Sequence, residues 1–191
     1  VHIFDLEKTS KEFSKALAFI SKIVSEGKAI IFVGTKIPLK SLVKSVAEEC
    51  GIPYVIERWL GGTFTNFETI QKRVNYFKDL ETKKATGELE KYTKKERMNF
   101  DKEIALLKTK FDGIKNMSKL PDAVFIFGLD KDITCAREAK KKGIKIIALC
   151  DTNINPDIAD YPIPANDDAI SAVKYILEKT KKTILNSKLS K

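Results

Sequence analysis

The sequence is poor in the residues that most catalytic and metal chemistry requires. It holds a single histidine, His2, and three cysteines, Cys50, Cys135 and Cys150. The cysteines lie far apart with no Cys-x-x-Cys pair, so neither a zinc site nor a disulfide framework is indicated. Without a histidine to activate them they read as small buried apolar residues. No apolar run approaches the roughly 20 residues of a membrane helix, and Val1–Leu6 lacks the basic-then-apolar layout of a secretory leader. The motifs G-x-G-x-x-G and G-x-x-x-x-G-K-[ST] are both missing, which removes the strongest signals for dinucleotides and nucleoside triphosphates. Arginine is scarce too: of 35 basic residues only Arg58, Arg73, Arg97 and Arg137 are arginines. The expectation is a soluble, cytoplasmic, non-catalytic protein with no metal, cofactor or membrane partner.

What the chain has in excess is lysine. Its 35 cations face 26 acidic residues, a net charge of +9, and the isoelectric point is near 9.3. Such a balance points to a polyanionic partner. Lysine meets phosphate as a compact point charge, whereas arginine reads bases with a planar fork, so backbone contact is expected more than sequence readout. A chain rich in Lys and Ile is also what an A·T-rich genome encodes, and net charge alone identifies no partner. With 191 residues, 43% hydrophobic and 32% charged, the chain can bury one core, as one domain or one domain with an insertion.

Hydrophobic spacing predicts an α/β body. From Thr9, the residues Phe13, Leu17, Ile20 and Val24 mark a helical face that Gly27 stops after Glu26. Ala29–Val33 is a strand, Pro38 opens a helix ending at Gly51, and Pro53–Ile56 is a second short strand. The rhythm resumes with strand Ala123–Phe127, helix Thr134–Lys142 stopped by Gly143, and strand Ile144–Cys150. Continuous apolar strands of this kind suit an open, mainly parallel sheet with helices on both faces, a flavodoxin- or Rossmann-like arrangement. Tyr161–Ile163 reads as an edge strand because Pro162 cannot donate to a central ladder. A last helix capped near Asn166, Asp167 or Asp168 carries Ile170, Val173, Ile176 and Leu177 on one face. The lysine-rich end, Lys179–Lys191, reads as a frayed terminus.

Residues 66–112 interrupt this rhythm, with dense charge and no strand signal. Thr65 with Glu68, and Thr93 with Glu96, fit the capping-box pattern, and Gly113 serves as the stop of the second helix. Phe67, Ile70, Val74 and Phe77 on one helix, and Phe100, Ile104, Leu107 and Phe111 on the other, form the seams of an antiparallel coiled coil. Thr82–Tyr92 makes the turn. At 1.5 Å per residue the arm is about 27 Å long and projects from the body. The expected organisation is a sheet domain from 1–65 and 113–191 with a protruding hairpin at 66–112.

Three segments carry the candidate chemistry. Gly34-Thr35-Lys36 follows the first strand and offers a tight turn or, with Lys36, a phosphate contact. Arg58-Trp59-Leu60-Gly61-Gly62-Thr63-Phe64-Thr65-Asn66 combines paired glycines for close approach with donors from Arg58, Thr63, Thr65 and Asn66 and a flat face from Trp59. That mixture suits a ribose-phosphate surface, while Trp59 and Phe64 plugging the root of the arm is the structural alternative. The acids Asp151, Asp157, Asp160, Asp167 and Asp168 lack a partner for acid-base work and read as turn and cap residues.

At RWLGGTFTNF, together with FVGTK, LPDAVFIF and ALCDTNINPDIADYPIPANDDAI, in that setting of a helical hairpin between the second and third strands, the chain resembles the family of ribosomal protein two of the bacterial small subunit. The resemblance spans nearly the whole sequence. It implies a structural RNA-binding role in the small ribosomal subunit, in a bacterium or an organelle, and contact with small-subunit ribosomal RNA. It also implies neighbouring ribosomal proteins as partners, including the large messenger-binding ribosomal protein one. By motif, Arg58, Trp59, Gly61, Gly62, Thr63, Thr65 and Asn66 form the RNA-facing loop, with Lys72 and Arg73 following on the first arm helix and Lys36 as a further contact. Family members carry further basic and aromatic residues ahead of the segment matching His2–Leu6, so a ligand role for His2 stays open. The rival reading is a phosphosugar- or nucleotide-binding enzyme using Gly34, Thr35 and Lys36; a protein-docking scaffold is a third.

Overall fold

The computed structural model describes residues 3–189; His2 and Lys191 lie outside the described residues. Helix α1 (Leu6–Ser25) starts three residues ahead of Thr9 because Asp5 caps it, its carboxylate accepting from the amides of Glu7 at 3.1 Å and Lys8 at 3.3 Å. Thr9 lies inside the first turn and donates to the Pro164 carbonyl at 2.6 Å. Gly27, at φ 74°, turns the chain into β1 (Ile30–Val33). A 3-10 turn through Pro38 leads to α2 (Lys40–Cys50), then β2 (Tyr54–Val55). Helices α3 (Phe67–Ala85) and α4 (Lys94–Phe111) precede β3 (Ala123–Ile126), α5 (Ile133–Lys142) and β4 (Lys145–Cys150). β5 (Tyr161–Pro164) and α6 (Ile170–Leu189) complete the described chain.

The five strands form one parallel sheet in the order β2-β1-β3-β4-β5. Alternate residues leave each strand on opposite faces, and both faces are covered. Phe32, Phe125, Ile147 and Leu149 pack with α1, α2 and α6, while Ile31, Val33, Val124, Ile126, Ile146 and Ala148 pack with α3, α4 and α5. Burial on two sides is why the strands show no polar alternation.

Both edges are modified. β5 carries Pro162 and Pro164, and β2 is two residues long with Gly113 pressed against it. A Cβ at Gly113 would stand 2.1 Å from the Tyr54 carbonyl oxygen. That close approach, rather than a left-handed helix stop, explains the glycine: α4 ends at Phe111, and Gly113 is not among the positive-φ glycines.

Helices α3 and α4 run antiparallel, with the Tyr76 hydroxyl 3.1 Å from Glu103 and Lys84 2.6 Å from Asp101. Thr93 and Glu96 make the reciprocal capping box at the start of α4. Val74, Phe77, Leu80, Ile104, Leu107 and Phe111 are buried in the same apolar cluster as the sheet face, whereas Phe67, Ile70 and Phe100 are partly covered. α3 continues to Ala85, past the expected turn at Thr82, and Gly87 (φ 76°) makes the reversal. At the other end of the chain, Ile170 is exposed, unlike Val173, Ile176 and Leu177. The basic tail is a docked helix and not a frayed one through Leu189: Lys181 pairs with Glu49 at 2.5 Å, and Lys188 donates to the Cys50 carbonyl at 2.6 Å.

Candidate nucleic-acid interface

In a sheet of this order the ligand crevice of an enzyme lies beyond the carboxyl ends of β1 and β3, where the strand order reverses. Here the polar side chains at its mouth pair with one another. Buried Asp132 accepts from the Thr35 hydroxyl at 2.9 Å and its amide at 3.3 Å, and Lys131 donates to the Thr35 carbonyl at 2.8 Å. Lys36 is enclosed by Asp167 at 2.7 Å, Asp168 at 2.9 Å and Asp130 at 3.4 Å. Burial alone would lower the Lys36 pKa, but hydrogen bonds to Asp167 and Asp168 outweigh it and raise the value, so the ammonium stays charged. Asp151, Asp167 and Asp168 bring one carboxylate oxygen each within 4.8 Å of one another, and Lys36 is the counter-charge to two of them. Lys36 is thus spoken for inside the protein, which corrects its assignment as a free phosphate contact.

The loop between β2 and α3 is built differently. Glu138, on α5 and 7% exposed, reaches under it and collects five donors. Its Oε1 accepts from the Gly62 amide at 2.8 Å and the Trp59 indole at 3.3 Å. Its Oε2 accepts from the amides of Phe64 and Thr65 at 3.0 and 3.2 Å and from the Thr65 hydroxyl at 3.3 Å. Burial pushes the Glu138 pKa up, but the amides of Gly62, Phe64 and Thr65 and the Trp59 indole together hold it below the ordinary glutamate value. An ionised carboxylate with its lone pairs met by aligned N–H groups is a strong, geometrically specific anchor. Gly62 takes φ 94° to turn its amide inward.

This clamp revises several expectations. Trp59 is 7% exposed and packs edge-on against Phe64 at 4.7 Å, so its ring is a plug and offers no face for base stacking. Thr63 is buried and donates to the Leu60 carbonyl at 2.6 Å. Thr65 turns its donors to Glu138, so the Thr65–Glu68 capping box does not form; Asn66 stands at the N-cap of α3 without a side-chain cap. The Gly62 amide is likewise occupied. What faces outward is Arg58, Gly61, Asn66, Lys72 and Arg73, all exposed. At Gly61 an added Cβ would meet nothing within 4 Å, and the backbone is not left-handed, so the folded chain itself has no need of glycine there.

Sequence reasoning missed Glu138 and Asp132. Glu138 lies in a run of charges, Arg137, Lys140, Lys141 and Lys142, that reads as a solvated helix face. The available signal was its spacing: it sits beside Cys135, Ala136 and Ala139, the buried stripe of α5.

The parallel sheet thus has the polar groups at its switch point paired with one another, and beside them a loop anchored from below with exposed cations on its outer side. The chain matches the model of the ribosomal protein S2 family over residues 1–187. It is 45% identical over 188 residues to the small ribosomal subunit protein uS2 of Endomicrobium trichonymphae, covering 98% of this chain and 77% of that protein. The corresponding figures are 44% over 189 residues, 99% and 80%, for uS2c of Guillardia theta. For uS2 of Dehalococcoides mccartyi strain 195 they are 41% over 187 residues, 98% and 76%. The chain belongs to the ribosomal protein S2 family and is a structural constituent of the small ribosomal subunit, with its place in the ribosome; the phosphosugar-enzyme alternative finds no support.

Proposed function

We propose that the outer side of the 58–66 loop, continued by Lys72 and Arg73 on α3, docks on the sugar-phosphate backbone of small-subunit ribosomal RNA. The observation that carries this reading is the division of the loop into an inner side bound by Glu138 and an outer side left to Arg58, Gly61 and Asn66. Gly61 lets main chain approach a ribose-phosphate closely, and the cations neutralise phosphates. Beside Arg58, between β2 and α4, a cleft of about 300 Å³ brings Lys44, Lys108 and Lys110 together with the acids Glu57 and Asp112. Residues 66–112 serve as a projecting coiled-coil arm on the sheet domain of 1–65 and 113–191, so the loop lies at its root. Neighbouring small-subunit proteins, the messenger-binding ribosomal protein one among them, dock elsewhere. The apolar groove of about 500 Å³ between the starts of α1 and α6, near exposed Leu6 and Tyr175, supports that contact.

Filter binding of the chain to small-subunit ribosomal RNA at several salt concentrations tests the reading. Affinity falls steeply with salt, and Lys72→Ala combined with Arg73→Ala flattens the slope by about 2 on logarithmic axes. A slope unchanged by that pair would exclude the surface.

A further inference from the structure

Paired glycines give the 58–66 loop main-chain freedom to lose when it meets a rigid partner. Resting on the RNA reading above, we infer that Glu138 is the positioning residue of the RNA-binding loop: from beneath, it fixes the main chain between Trp59 and Thr65 and so sets where Arg58, Gly61 and Asn66 stand.

Three features make this more than an ordinary buried hydrogen bond. The five donors come from four loop positions, Trp59, Gly62, Phe64 and Thr65, so a single side chain ties together most of the turn. The acceptor sits on α5, whose Cys135, Ala136 and Ala139 are buried in the cluster on the sheet face, so the loop takes its position from a helix packed on the sheet. The carboxylate is also the one chemical group that fits. Each of its oxygens accepts, whereas an amide of the same shape accepts on one side and turns N–H toward N–H on the other. A loop ordered in advance loses less freedom on binding, so the anchor raises affinity without contributing a contact. A negative charge near RNA would otherwise oppose binding; here it is buried beneath the loop and met by donors.

The test uses the intact chain, with Glu138→Gln and Glu138→Asp compared by amide hydrogen exchange, thermal melting and binding to small-subunit ribosomal RNA over a range of salt. In Glu138→Gln the amides of Gly62, Phe64 and Thr65 exchange faster while those of β1 and β3 keep their protection. RNA affinity falls about tenfold, and the salt slope stays as in the parent because no phosphate contact is lost. Glu138→Asp, which keeps both oxygens, recovers part of the affinity. If Glu138→Gln does not fold, Thr65→Val removes one donor at the loop surface and gives the same signature at about two- to threefold. Faster amide exchange with unchanged affinity would overturn the positioning role, as would an affinity loss accompanied by a flatter salt slope. Arg58→Ala and the Lys72→Ala, Arg73→Ala pair leaving both affinity and slope unchanged would instead overturn the RNA surface itself, whatever the exchange rates report.

Discussion

The crevice beyond β1 and β3 and the loop beyond β2 start from similar materials, acids and cations beside a glycine turn, and end in opposite conditions. In the crevice, Asp132, Asp167 and Asp168 draw in Thr35 and Lys36 until the polar groups face one another. In the loop, Glu138 takes its donors from below and leaves the exposed Arg58 side chain above it unmatched. A charged residue becomes available to a partner only when the fold has not already matched it. Counting cations along the chain treats Lys36 and Arg58 alike, and internal pairing separates them.

Four measurements would sharpen or break that contrast. The largest effect is expected from Lys36→Ala, which leaves buried Asp167 without its cation and destabilises the fold by about 2 kcal/mol in denaturant unfolding; the salt slope of RNA binding by the folded fraction does not change. Glu138→Gln follows, at about 1–2 kcal/mol near neutral pH, since donors on one side lose their acceptor. Because the folded pKa of Glu138 is depressed, its contribution is complete above the unfolded value of about 4.3 and is lost as pH falls through the folded value. The gap between parent and variant melting temperatures therefore closes on acidification, and a gap that widened would contradict the clamp. Thr35→Val removes the hydroxyl on Asp132 and lowers stability by about 1 kcal/mol, again without altering RNA binding. Arg58→Ala, at an exposed position, changes stability by less than about 0.5 kcal/mol yet flattens the salt slope by about 1. Reversed behaviour of Lys36 and Arg58 in these assays would end the distinction between the two regions.

The element order and the two-sided burial of the sheet were legible because apolar period and glycine placement are local. Gly27, Gly51 and Gly143 all turn through positive φ at the ends of helices. The site was legible only in part. The motif located the right loop, but which of its groups face outward depends on Glu138, more than 70 residues along the chain. Thr65 has the spacing for a capping box with Glu68, and a long-range acceptor wins the competition for its hydroxyl. Gly113 stands where a helix stop would, yet its role comes from the Tyr54 carbonyl, a neighbour that local pattern cannot supply. Asp5 was passed over because the first turn of α1 presents exposed Leu6 ahead of the apolar face.

The margins of the sheet carry one more consequence. On one side Pro162 and Pro164 withhold amides from any incoming strand; on the other a two-residue strand has Gly113 packed against its Tyr54 carbonyl. An open sheet edge is a template for edge-to-edge pairing, and here both rims are blunted against it. Both margins therefore disfavour fibre growth by strand addition.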